Sequence, residues 1–206
     1  MSDTIVTTSG ELDDAEILQI LADTETVRHG HFQLTSGRHS DTYIQCARLL
    51  EHPRLTRALA AETVRRLPGE LREKIDLVAS PAVGGILFGF ALADVLDTTM
   101  IFSERLNGQM TLRRAFQIPA GARVLIAEDV VTSGGSVREV AELVRASGGQ
   151  VAAIVALADR GGNPDFSVPY FPLLHLSAPA WPAAECQLCA AGQPLDSPGS
   201  RLLQQA

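Results

Sequence analysis

From Ile75 onward the chain alternates short, unbroken apolar runs with segments of helical period. "IDLVAS" (75–80), "TTMIFSE" (98–104), "VLIAE" (124–128) and "VAAIVALAD" (151–159) are too continuously apolar for strands with one wet face, and read as strands of a parallel sheet covered by helices. Between them, "GGILFGFALADVL" and "SVREVAELVRAS" read as helices. In the second, Val137, Val140, Ala141 and Val144 fall at i, i+3, i+4, i+7, which leaves Arg138, Glu139, Glu142 and Arg145 for water. The pattern predicts an α/β fold with right-handed crossovers. Upstream, residues 11–24 predict an acidic-started helix and "HFQLTSGRHSDTYIQC" an extended segment around the turn "SGR". A further helix is expected from Pro53, in the first turn where its missing N–H costs nothing, to about Leu67. The tail is proline-rich without a clear period.

At 206 residues, 46% hydrophobic and 20% charged, the chain can bury a full core, and one domain over residues 1–206 is expected. The net charge of -7 disfavours nucleic acid as a partner, since phosphate neutralisation needs clustered cations. It does not exclude a small anion, because Arg38, Arg105, Arg113, Arg114 and Arg160 lie near candidate loops. The start "MSDTIVTTSGELDDAE" lacks a basic region followed by an apolar stretch, and the longest apolar region, 81–95, is short of the roughly 20 residues a membrane span needs. A cytoplasmic protein with no membrane partner is expected, its three cysteines reduced.

The densest chemistry lies in "VLIAEDVVTSGGSVREV" (124–140). Ligands of open parallel sheets bind at the carboxyl ends of strands, and here Glu128 and Asp129 stand at such an end as an exposed pair. After Val130 and Val131, the backbone of Thr132, Ser133, Gly134, Gly135 and Ser136 and its hydroxyls can surround a phosphate at a helix N-terminus. Two carboxylates beside a phosphate would repel it unless they bind sugar hydroxyls or a hard cation such as Mg²⁺. A plain helix cap preceded by a solvated acidic pair is the bland alternative, and the order of the segment argues against it.

This segment resembles the phosphoribosyl pyrophosphate signature of the type I phosphoribosyltransferases, with each position of the pattern filled. "FQLTSGRHSDTYI", "SPAVGG", "MTLRRAF" and "ALADRGG" are similar to segments of the orotate-specific members, over about Phe32 to Gly162. "ECQLCAAGQPLDSPGSR" resembles the C-terminus of one bacterial and archaeal branch. The resemblance implies a type I phosphoribosyltransferase-like parallel sheet flanked by helices. It also implies a small hood built from residues 1–50 and about 165–206.

It further implies transfer of phosphoribose from 5-phosphoribosyl 1-diphosphate to orotate, giving orotidine 5'-phosphate and diphosphate in pyrimidine biosynthesis. Mg²⁺ would be held mainly by the donor, with Asp129 as the candidate protein ligand. Glu128 and Asp129 would hold the ribose hydroxyls, residues 132–136 the 5-phosphate, and Val83 and Gly84 the pyrophosphate, with an unusual peptide before Val83. Thr132, Arg160, Tyr43 and Ile44 would contact orotate. A homodimer with a shared active site is implied, Arg105 acting on the neighbouring subunit's site from a mobile loop.

Three departures stand out. Some relatives have Lys in place of Gly84, and many have a basic residue in place of Thr35. Their mobile loop carries several Lys and a His, whereas "SERLNGQMT" supplies only Arg105. A donor-sensing regulator of the same fold and a transferase for another base are the competing readings. His29 and His31 make a weak metal pair, and Cys186 with Cys189 forms a single C-x-x-C, short of the four ligands of a structural zinc site unless a second subunit adds the rest.

Overall fold

The computed structural model describes residues 11–34, 36–162 and 164–198. The reading of residues 1–10 as free of a signal, the departure at Thr35 and the end of the C-terminal resemblance lie outside the described residues. Helix α1 (Asp14–Asp23) starts on a capping box in which the Asp13 carboxylate accepts from Glu16 N–H and Glu16 reaches back to Asp13 N–H, satisfying two otherwise orphaned donors. Strands β1 (Val27–Gln33) and β2 (His39–Ile44) follow, then α2 (Ala47–Leu50), α3 (Pro53–Arg66) and the single turn α4 (Gly69–Arg72).

The expected alternation then appears. It runs β3 (Leu77–Pro81), α5 (Gly85–Leu96), β4 (Thr99–Leu106), β5 (Gln109–Leu112), β6 (Arg123–Val131), α6 (Gly135–Ala146), β7 (Gln150–Asp159) and β8 (Tyr170–His175). These strands form a six-stranded sheet in the order β5-β4-β3-β6-β7-β8, parallel except for β5. Along β6 the side chains split by period two. Leu125 and Ala127 join the core beneath α3 and α5, while Val124 and Ile126 join Val137, Val140, Ala141 and Val144 of α6. Both faces are thus dry, which is why the strands read as unbroken apolar runs.

β8 and β9 (Ala180–Trp181) have no counterpart in the expectation, whereas β5 covers the start of "MTLRRAF", which resembles a strand of the family. β5 pairs back onto β4 through the turn Asn107–Gly108, both at positive φ, the geometry of a two-residue hairpin. β8 lies in the large sheet beside β7, so the small sheet draws its C-terminal strand from further along. That sheet is β1-β2-β9, with β9 meeting His39 and Ser40. The last helical turn is α7 (Gln187–Ala190). A register shift between His29 and Phe32 interrupts the β1–β2 ladder.

Glu62 of α3 is buried and anchors the end of the core. It accepts from Arg65 and Arg66 at 2.6–2.9 Å and from Leu12 N–H at 3.3 Å, and Arg66 continues to the Leu173 carbonyl of β8 at 3.2 Å. Burial alone would raise its carboxyl, but the bonds from both arginines and Leu12 hold it down to about 2. Glu62→Gln is expected to cost about 1–3 kcal/mol, the range for a charge-assisted network losing a member. Because the folded value lies below the ordinary 4.5, this stabilisation is present above pH 4.5 and is lost as pH falls through about 2. Urea unfolding of parent and mutant should therefore converge in acid; a gap that stays constant with pH would mean the carboxylate charge is not what stabilises.

Candidate active site

The cleft sits at the carboxyl end of β6 and the start of α6, with Arg105 of β4 at its side. It has a volume of about 260 Å³ and is lined by Arg105, Glu128, residues 130–137 and Glu139. β6 runs three residues past the expected "VLIAE", because Val130 and Val131 still pair with Ala158 and Asp159 of β7. Glu128 and Asp129 are therefore strand residues. Thr132, Ser133, Gly135 and Ser136 form the exposed rim and Gly134 is buried beneath them. Gly134 has φ 76°, and a Cβ there would lie 2.6 Å from the Phe166 ring, so only glycine carries the chain into α6. Val130 is partly buried and Val131 fully so.

The two carboxylates differ, and the expected exposed pair is corrected on this point. Glu128 is 8% exposed because β6 continues between neighbours past it. Burial, then the adjacent Asp129 charge, pushes its carboxyl up to about 9. Asp129 is half-buried and accepts from Val130 N–H at 2.8 Å. Its carboxylate covers Gly84, where a Cβ would stand 2.5–2.8 Å from the Asp129 carboxyl atoms. Glycine at 84 is what admits that side chain, and a lysine there would have to displace it. Next to it Val83 is 81% exposed, and the Ala82–Val83 peptide is cis. Two adjacent carboxyls, one with its pKa raised for want of a counter-charge, fit a hard cation or hydroxyl donors at this lip.

Arg160 follows β7 directly, and its N–H donates to the Val131 carbonyl at 3.0 Å. Burial lowers its pKa, and nearby Tyr43 acts to raise it. Among the described residues its buried Nε has no hydrogen-bond partner. Tyr43 donates to Gln45 Oε1 at 2.7 Å and packs its ring 5.6 Å from Phe32; Ile44 packs against the core. Cys46, just past them, approaches the Asp129 carbonyl at 3.9 Å, joining the small sheet's exit to the cleft.

Arg105 lines the cleft of its own chain. Its guanidinium reaches Glu139 of α6 at 2.9 Å and the Gly108 carbonyl at 2.6 Å. The two-residue hairpin turn and the β4–β5 pairing set its direction within the chain. Arg138, expected to face only water, bonds the Ser133 carbonyl at 2.6 Å and stacks 5.2 Å from Phe166. Together with Gly162, whose Cβ would collide with the Thr132 carbonyl, Arg138 and Phe166 brace the loop. Sequence reasoning missed all three, and only the glycine in "DRGG" was a signal for them.

A family model described as phosphoribosyl transferase domain matches residues 46–171. The chain is 47% identical over 190 residues to an orotate phosphoribosyltransferase of Heliobacterium modesticaldum, covering 90% of this chain and 97% of that one. It is 42% identical over 193 residues to that of Caldanaerobacter subterraneus, covering 93% and 100%. The chain belongs to the orotate phosphoribosyltransferase family. The crystal structure of the orotate phosphoribosyltransferase from Aeropyrum pernix superposes with a TM-score of 0.67 at 25% identity, over 78% of this chain and 93% of that one. The likeness extends to the α/β sheet, so the orotate phosphoribosyltransferase fold expected from the motifs is borne out. No helix among the described residues is long and apolar enough to cross a membrane.

Proposed function

We propose that the chain transfers the phosphoribosyl group of 5-phosphoribosyl 1-diphosphate to a ring nitrogen of orotate, releasing diphosphate and forming orotidine 5'-phosphate for pyrimidine biosynthesis. Family membership supports the reaction. The observation that carries the choice of base is Arg160, a half-buried guanidinium with an unpartnered Nε beside Tyr43 and next to the phosphate loop. An isolated charge of this kind is costly unless a ligand anion pairs with it, and a planar carboxylate matches its fork. A purine offers none.

In this reading the 5-phosphate sits on the backbone N–H groups of residues 132–136 at the positive end of α6. Glu128 and Asp129 accept the ribose 2- and 3-hydroxyls, which fixes the ring against the cleft. Val83 and Gly84 offer exposed backbone for the diphosphate, and Arg105 is free to exchange its exposed pairing with Glu139 for a phosphate oxygen, since surface pairs are worth about 0–1 kcal/mol. Mg²⁺ would lie with the donor and against Asp129, supplying charge neutralisation of the leaving diphosphate. As the C1–N bond replaces the C1–O bond, positive charge develops on the ribose, and the carboxylates beneath it stabilise that charge by position. Arg160 and Tyr43 with Ile44 hold the acceptor ring in line.

The assay is loss of orotate absorbance on mixing with donor and Mg²⁺. Turnover that requires all three supports the reading, whereas donor binding without turnover would make the chain a sensor. A homodimer is part of the proposal, supported by the exposed apolar residues Val83, Leu87 and Phe90 at 81%, 54% and 66%. A shared site is part of the proposal: with Arg105 acting across the dimer, mixing Arg105→Ala with Asp129→Asn chains is expected to restore part of the activity through hybrids carrying one intact site. No recovery in verified hybrids would keep Arg105 in its own chain's cleft, which it lines with Glu128.

A further inference from the structure

We propose that His31, His39, Cys186 and Cys189 form a structural zinc site that fastens the C-terminal segment to the small sheet. The four side chains offer one ligand atom each, and all four atoms lie within 4.8 Å of one another. His31 Nε2 is 3.0 Å from His39 Nδ1, 3.5 Å from Cys186 Sγ and 3.6 Å from Cys189 Sγ, and Cys189 Sγ is 3.3 Å from His39 Nδ1. A tetrahedral Zn²⁺ bound at about 2.0–2.3 Å separates its ligands by about 3.3–3.8 Å. Three of the four close separations, 3.3, 3.5 and 3.6 Å, fall in that range and the His31–His39 distance of 3.0 Å lies just below it, and the composition is the Cys₂His₂ set of structural zinc.

Proton bookkeeping favours a metal over a hydrogen-bonded cluster. His31 Nδ1 lies 2.9 Å from the Gln193 carbonyl, which can only accept, so Nδ1 carries the proton and Nε2 presents a lone pair. One lone pair accepts one hydrogen bond, yet an imidazole nitrogen and two sulfurs converge on it, and thiols are weak donors. A dication satisfies the four lone pairs at once, the two thiol protons passing to solvent. The His31 bond to a backbone carbonyl is the outer contact that metal-bound histidines make. Cys186, His31 and His39 are buried at 3–5% exposure and the cysteines are free thiols. Four protein ligands leave no open position, so the site is structural and not catalytic.

The fold explains both why the site exists and why the spacing concealed it. The register shift between His29 and Phe32 turns His31 inward while His29 stays exposed, so the sequence pair His29 and His31 is split. The ligands missing from the C-x-x-C come from the same chain, not from a second subunit. The three-stranded sheet has a two-residue third strand and little core of its own, the circumstance in which small units use a metal.

The test uses the full-length, tag-free protein. Elemental analysis is expected to find one zinc per chain; Cys189→Ser and His39→Ala lose it, and His29→Ala retains it. Should a variant fail to fold, the parent is stripped with a chelator under reductant and titrated with Co²⁺. Intense visible absorption of a tetrahedral site with a thiolate-to-cobalt band is expected, and zinc should restore a melting temperature lowered by stripping. The proposal is overturned if reduced protein takes up neither metal, if cobalt gives only weak octahedral absorption, if native protein holds a Cys186–Cys189 disulfide, or if stripping leaves the melting temperature unchanged.

Discussion

Arg160→Ala is expected to cost about 2–5 kcal/mol in orotate recognition, about thirty- to four-thousand-fold in kcat/KM. The size follows from truncating one member of a desolvated, charge-assisted pair, which leaves the substrate carboxylate without its partner in a site that has excluded water. The Arg160 guanidinium is half-buried, its Nε lacks a protein acceptor, and its backbone is fixed by the bond to Val131. Removing the side chain therefore frees no competing carboxylate and should leave the donor loop in place. KM for the phosphoribosyl donor should hardly move. Arg160→Lys should rescue only in part, because an ammonium keeps the charge and loses the planar fork. Uracil lacks the carboxylate, so it should be a very poor substrate for the parent, and the mutation should narrow the gap between the bases. The measurement is the ratio of kcat/KM for orotate and uracil in parent and mutant; an unchanged ratio would show that Arg160 does not read the carboxylate.

Glu128→Gln should move activity and stability in opposite directions. Loss of a charge placed beneath the developing ribose cation is expected to lower turnover by about 10²–10³-fold, the range for removing one preorganised electrostatic group. In the ligand-free protein the same carboxyl is raised from 4.5 to about 9 by burial and by Asp129. A group raised in the folded state contributes stability that is fully present below pH 4.5 and is lost progressively as pH climbs through about 9. Gln does not titrate, so the parent's melting temperature should fall relative to the mutant's across that window, by about 2–4 °C per kcal/mol for a chain of this size. A site that binds a cation or sugar hydroxyls carries this cost when empty, which is the trade between stability and function in physical form. Thermal melts of both proteins across the window decide the matter. A flat difference would mean that Glu128 is ionised in the free protein, and unaltered turnover would remove it from the ribose site.

The loop from β6 into α6 was legible because it is local. Strand end, carboxylates, glycine turn and helix start are contiguous in 124–140, and each has a backbone reason to follow the one before. The same holds for β3, β4, β6 and β7, whose apolar runs report burial on two faces. β8 was not legible. It lies at a sheet edge, where the half-exposed "YFPLLH" carries no period, and only pairing with β7 makes it a strand; β5, at the other edge, was legible only through the resemblance of "MTLRRAF" to a strand of the family.

By itself, then, the sequence determined the fold class, the glycine-containing loop between β6 and α6 and the orotate-type family, since periodicity and contiguous motifs are properties of neighbouring residues. Tertiary structure alone decided what depends on residues far apart in the chain. Continued pairing of β6 with β7 buries Glu128, which raises its pKa, and Asp129 takes the space that Gly84 leaves. A hairpin turn of two residues sets Arg105 against Glu139 of its own chain. The shift in β1 brings His31 to His39 and to cysteines more than 150 residues away. Side-chain direction at a bulge, and the meeting of separate segments, follow from strand pairing and close packing, which no local spacing encodes.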